Sequence, residues 1–160
     1  MPEPALYDYA NQLRNSEDFF TRSTNVLEEA DSSFHPQPGM MTVAQQVGHV
    51  AQTIHWFLEG ATQPEGFNLD FAAHAKELAG VTSLTTARGL LKDAYARAVE
   101  FARSRSAEEL AKPLPQGPVM GGAPTSEIFL AMIEHAAHHR GALTVYSRQL
   151  GKVPAMPYGG

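Results

Sequence analysis

Three histidines fall within five positions near the end of the chain: His135, His138 and His139, in the run Glu134-His135-Ala136-Ala137-His138-His139-Arg140-Gly141. His135 and His139 are four residues apart. On a helix that spacing stacks the two imidazoles one turn above the other, where both can grip a single metal ion. The chain has no cysteine, which excludes thiolate zinc sites, disulfides and a cysteine nucleophile. Any ion must then be held by His, Asp, Glu or water. The chemistry to look for is that of a divalent transition metal.

Spacing alone is a weak signal in a chain with 7 histidines in 160 residues, so orientation has to decide. On a wheel of about 100° per residue, His139 falls within about 20° of Met132, near the centre of an apolar stripe. His135 lies about 60° from that centre on the inner flank, and His138 about 120° away toward the edge. A core imidazole must satisfy both ring nitrogens or costs about 1–3 kcal/mol. Two histidines make an incomplete site, because open zinc sites keep three protein ligands. The candidates for the third are His49 and His55 on one helical segment, His74 in a short insert and His35 in a loop. His49 and His55 each lie about 120° from the centre of their seam, on opposite sides, His49 with Gln46, Thr53 and Trp56 and His55 with Ala44, Ala51 and Leu58, and the wheel does not choose between them. Glu134 reads as solvated and Glu59 and Glu127 as helix-end charges. Arg140 reads as a surface or dimer contact, and Gly141 as a point of close helix approach.

The elements that carry these residues follow from periodicity and punctuation. One helix is predicted from about Pro4 to Ala30, through Leu6, Tyr9, Leu13, Phe20 and Leu27, and is broken at Phe34 to Gly39. A second runs from Thr42 to Gly60 on the seam Val43, Val47, Val50, Ile54 and Phe57. A short helical piece spans Leu69 to Ala79. A third long helix runs from Leu84 to Ser104 through Ala87, Leu91, Ala94, Ala98 and Phe101. A long loop, Lys112 to Pro124, precedes the fourth, which runs from Thr125 or Ser126 to Leu150 on the stripe Ile128, Met132, Ala136, His139, Leu143, Tyr146 and Leu150 and ends at Gly151. No segment alternates with period two. The expectation is an all-α four-helix bundle over 1–160, one domain, with an extra short helix between the second and third, and with the first two helices as antiparallel neighbours.

Composition narrows the function classes. Apolar residues make up 43 % and charged residues 18 %, as in a globular protein. A net charge of −5 argues against a partner bound through phosphate neutralisation, so no nucleic acid is expected. No membrane span or secretory leader is legible, and the lack of cysteine fits a cytoplasmic location. No GxSxG, Walker or dinucleotide-binding motif is present.

Three stretches resemble the DinB-like (damage-inducible, YfiT-like) family: Thr42-Val43-Ala44-Gln45-Gln46-Val47-Gly48-His49-Val50-Ala51, then His135-Ala136-Ala137-His138-His139-Arg140-Gly141, similar to the family's HxxHHRG, then the ending Gly151-Lys152-Val153-Pro154-Ala155-Met156-Pro157-Tyr158-Gly159. The resemblance implies an up-down-down-up bundle with a metal between helices, held by His49, His135 and His139, with His138 no ligand. It departs at Ala142, where many relatives carry Gln. It further implies a homodimer, zinc, nickel or iron as the ion, and in some relatives a thiol-dependent transferase or isomerase activity. The expected chemistry is a metal-dependent transferase joining a small thiol to an electrophile, or a hydrolase using water, at an open three-His site. The alternative is a non-enzymatic metal-stabilised dimeric bundle or stress-related binding module. Substrate choice is expected to rest on the loop of residues 113–123.

Overall fold

Helix starts are written in side chains. In the computed structural model, which describes residues 7–159, Asp8, Thr42 and Ser83 each accept the backbone N–H three residues on. They thereby cap α1 (Tyr9–Thr24), α2 (Val43–Thr62) and α4 (Leu84–Ser104). Asp70 does the same for α3 (Phe71–Ala79), the expected insert. A one-turn helix, α5 (Ala107–Ala111), was not anticipated. Its signal is the reciprocal Ser106–Glu109 capping box in the polar stretch after α4. The last helix, α6 (Glu127–Gln149), is followed by Gly151 at φ 74°, a left-handed stop that suits glycine. Among the described residues no strand forms beyond one isolated bridge, Pro113 to Pro124, and no helix is long and apolar enough to cross a membrane.

The first helix is shorter than its periodicity suggests. It stops at Thr24, and residues before 7, Pro4 and Leu6 included, lie outside the described residues. Arg88 on α4 donates to the carbonyls of Thr24 and Leu27 at 2.9 and 3.0 Å, taking acceptors that a continuing helix would have used internally. The chain then turns, Leu27 drops into the core and Glu29–Asp31 forms a 3-10 turn.

This early stop corrects the expected packing. The connection from Asn25 to Thr42 is long enough to cross the end of the bundle, so α1 and α2 are diagonal rather than neighbours. Each of them packs against both α4 and α6. Cross-contacts give the directions. Ser16 meets Tyr95 while Thr24 meets Arg88, so α1 and α4 are antiparallel. Tyr9 meets Phe129 and Phe19 meets Arg140, so α1 and α6 are parallel. Gln46 meets both His139 and Tyr146 while His49 meets His135, so α2 and α6 are antiparallel. The order is up, down, down, up.

The predicted seams form the core. Val43, Val47, Val50, Ile54 and Phe57 of α2 are buried, as are Ala87, Leu91, Ala94 and Ala98 of α4 and Ile128, Met132, Ala136, Leu143 and Tyr146 of α6. Phe101 and Leu150 sit at its edge. The C-terminal tail is tied down by Arg22, which donates to the carbonyls of Pro157 and Gly159, and by Lys152 on Glu28 and Asp31.

Gly141 does not mark a close helix approach within the chain: a Cβ there would meet nothing within 4 Å. Glycine in a helix interior gives up about 0.5–1 kcal/mol relative to alanine. Gly141→Ala is therefore expected to raise stability by about that amount in urea unfolding. A loss of stability would mean that something outside this chain packs on this face.

Candidate metal centre

The three imidazoles that could act together are delivered by two antiparallel helices. His49 comes from the middle of α2, and His135 and His139 come from consecutive turns of α6. The capping box at Thr42 fixes where α2 begins, and the seam through Val47 and Val50 sets which way His49 turns. On α6, Met132, Ala136 and Leu143 pack inward, so His139 is buried, His135 half-buried and His138 exposed.

The Nε2 atom of His135 lies 3.1 Å from that of His139 and 3.2 Å from that of His49. One ligand nitrogen from each of the three falls within 4.8 Å of the others. Around a tetrahedral ion at about 2.0–2.1 Å from each nitrogen, neighbouring ligand atoms sit ~3.3 Å apart. The two spacings from His135 agree with that to about 0.2 Å.

Proton bookkeeping explains why this cluster suits a cation. Tyr146 donates its hydroxyl proton to the carbonyl of Met41 at 3.0 Å, and that carbonyl has no proton to give. The Tyr146 oxygen therefore accepts from Nε2 of Gln46 at 3.2 Å. This turns Oε1 of Gln46 toward His139, whose Nδ1–H donates to it at 2.5 Å. With its proton held on Nδ1, neutral His139 presents a bare lone pair on Nε2. A single proton on His135 Nε2 cannot serve both neighbouring nitrogens fully, whereas one cation satisfies all three. The Nδ1 atoms of His49 and His135 are buried without a partner, so His139 is the one anchored member.

The site also holds itself neutral. Burial, then the imidazoles of His135, His49 and His138, push His139 down to about 3. Burial, then His49 and His138, push His135 down to about 4, and burial lowers His49. At neutral pH all three keep their lone pairs.

A cavity of about 370 Å³ opens beside His49 and His135. Its other walls include Met41, Trp56 and Phe57, and α3 roofs it with Phe71, His74 and Leu78. No residue of the loop 113–123, the expected determinant of substrate choice, lines it. Pro115 of that loop instead lies against Gly66. A larger hollow of about 470 Å³, between Tyr9, Ala102 and Leu110, shares no residue with the imidazole cluster. Chemistry rather than size selects the smaller one.

The remaining candidates separate cleanly. His55 faces Arg97 and Glu59 in a polar recess on the flank of α2. His74 lines the cavity and the recess but stands outside the cluster. His35 bonds the carbonyl of Gln37 in its own loop. Arg140 is half-buried against Phe19 and Tyr158, where it holds the tail. Gln46 and Tyr146 are the members the sequence reading missed. Gln46 shares a side of the helix with His49, which is the one signal that pointed to it.

An up-down-down-up bundle with a three-imidazole cluster between its second and last long helices defines a class of metal-ready helical proteins. The DinB family profile matches residues 1–160, and the chain belongs to the DinB family. Its fold is similar to that of YfiT from Bacillus subtilis, described as "a probable metal-dependent hydrolase with an unusual four-helix bundle topology". That match has TM-score 0.71 and 16 % identity and covers 95 % of this chain and 94 % of the other. A DinB-like protein from Bacillus cereus is similar at TM-score 0.72 and 22 % identity, over 92 % and 94 % of the two chains. A second Bacillus subtilis DinB-like protein follows at 0.68 and 17 %, over 92 % and 96 %. No curated protein matches.

Proposed function

We propose that His49, His135 and His139 hold a divalent transition-metal ion with an open position toward the cavity, and that the protein is a metal-dependent enzyme activating a small thiol or water for attack on an electrophile. The observation that carries this reading is the convergence of three neutral imidazole Nε2 atoms beside a cavity. A bound ion supplies Lewis acidity that lowers the pKa of a water or thiol at the open position. The three imidazoles bring no negative charge, so the protein leaves the charge of the ion undiminished. Gln46 keeps His139 in the ligating tautomer. Imidazole donors suit zinc, nickel or iron. The description of YfiT as "a probable metal-dependent hydrolase" supports the branch that uses water.

One observation favours a non-catalytic reading, a metal-stabilised dimeric bundle: among the described residues no Asp or Glu lines the cavity, and His74 is the only other titratable side chain there. Two measurements decide. Protein purified without a tag or nickel resin is expected to carry one ion per chain by elemental analysis. The cobalt-substituted protein is expected to develop a near-ultraviolet thiolate charge-transfer band with a small thiol. Metal without any response to thiols, and without hydrolysis of simple esters or amides, would leave only the structural role.

A further inference from the structure

We infer that the cavity beside the three imidazoles takes a small molecule with an aromatic, uncharged body. As the electrophile of the reaction proposed above, this assignment rests on that reading, whereas the binding preference itself does not. The walls are aromatic and aliphatic: Trp56, Phe57 and Phe71 with Met41 and Leu78. Among the described residues no Asp, Glu, Lys or Arg lines the space. Its non-histidine polar groups are Thr53 and Gln52. The Gln52 amide nitrogen is engaged by the His74 carbonyl and Glu77 at 3.0 Å each. The indole N–H of Trp56 donates to the Asn68 carbonyl at 2.7 Å, so the ring offers a ligand its face and not its donor.

Away from the imidazoles, a charged group entering this space would lose its water and gain no counter-charge from the lining side chains, which costs it heavily. A flat apolar body loses nothing polar and covers Phe71, which is 61 % exposed. Size agrees. An apolar cavity of about 150 Å³ is enough for benzene, and this one, at about 370 Å³, has room for a substituted ring. Part of the roof is α3, which buries none of its own residues in the core. The specificity-determining side chains are thus Trp56 and Phe71, whose rings lie 6.4 Å apart at 54° and form one continuous aromatic wall.

Trp56 is the only tryptophan in the chain, so its fluorescence reports occupancy directly. The metal-free protein is titrated with benzyl alcohol, benzoate and benzylamine, three probes of one size and different charge. Without an ion, direct ligation of benzoate does not enter. A saturable change is expected with benzyl alcohol, with affinity at least tenfold weaker for both charged probes. Ala75→Phe fills the cavity from the exposed α3 and is expected to weaken benzyl alcohol at least tenfold, with helicity and metal binding retained. Equal or tighter binding of either charged probe, no effect of Ala75→Phe, or no saturable response to any probe would each overturn the assignment. Failure of the metal reading would instead appear in the elemental analysis and leave these titrations unchanged.

Discussion

His139→Ala is expected to abolish metal binding, and His138→Ala to leave it unchanged, although the two residues are adjacent. Four-ligand structural zinc sites are worth about 10–16 kcal/mol. One ligand's share of such a site is about 2.5–4 kcal/mol, a loss on the order of a hundredfold to a thousandfold in Kd. His139 is buried with its Nε2 in the cluster, while His138 is exposed on the outer side of α6, its ring edge-on to His139 at 5.1 Å. Removing His139 also leaves Oε1 of Gln46 buried without its donor, a cost of about 1–3 kcal/mol to the fold. His49→Ala and His135→Ala remove half-buried rings instead and are expected to weaken the ion greatly at smaller cost in stability. Competition with a chromophoric chelator on the metal-free variants measures all four. Equal losses at His138 and His139 would show that the metal is held on another face of the helix.

What the sequence carried, and what it did not, follows from which physics is local. The α2 and α6 seams are set by one residue and its neighbours a turn away, so periodicity placed His139 inside and His138 outside. It left His49 and His55 equivalent, because both flank the α2 seam at equal angles. Their difference arises only when α6 packs on one side of α2 and α4 on the other. The diagonal placement of α1 and α2 was hidden for a similar reason. It depends on Arg88, distant in sequence, taking the carbonyls at the end of α1. The cavity was illegible because its roof, α3, has no fully buried residue and meets α2 through Gln52 and the Trp56–Phe71 ring pair, contacts that no seam in the sequence announces. Gln46 was read only as a residue on the same side as His49, since its partner Tyr146 is distant along the chain and reads as an apolar core position.

Gln46→Leu is expected to weaken metal affinity by about 10–100-fold, the usual cost of losing the partner that orients a ligating histidine, while leaving the three imidazoles in place. The expectation comes from the direction of the proton chain. The Met41 carbonyl can only accept, so Tyr146 donates to it, Gln46 donates to Tyr146, and His139 donates to Gln46. Each step leaves the next residue one orientation, and the last places the His139 proton on Nδ1. Leucine has nearly the volume of glutamine and fills the space, but it frees His139 to shift its proton to Nε2 or turn its ring. Gln46→Glu keeps the acceptor for Nδ1–H and is expected to retain affinity within severalfold. Tyr146→Phe removes the group that keeps the Gln46 amide from flipping and is expected to fall between the two. Nitrogen-15 chemical shifts of the His139 ring provide a readout independent of the ion: the metal-free wild type is expected to show the Nδ1–H form, and Gln46→Leu a mixture of tautomers. A variant that binds metal as tightly as the wild type while showing that mixture would separate tautomer control from affinity and leave Gln46 with packing alone.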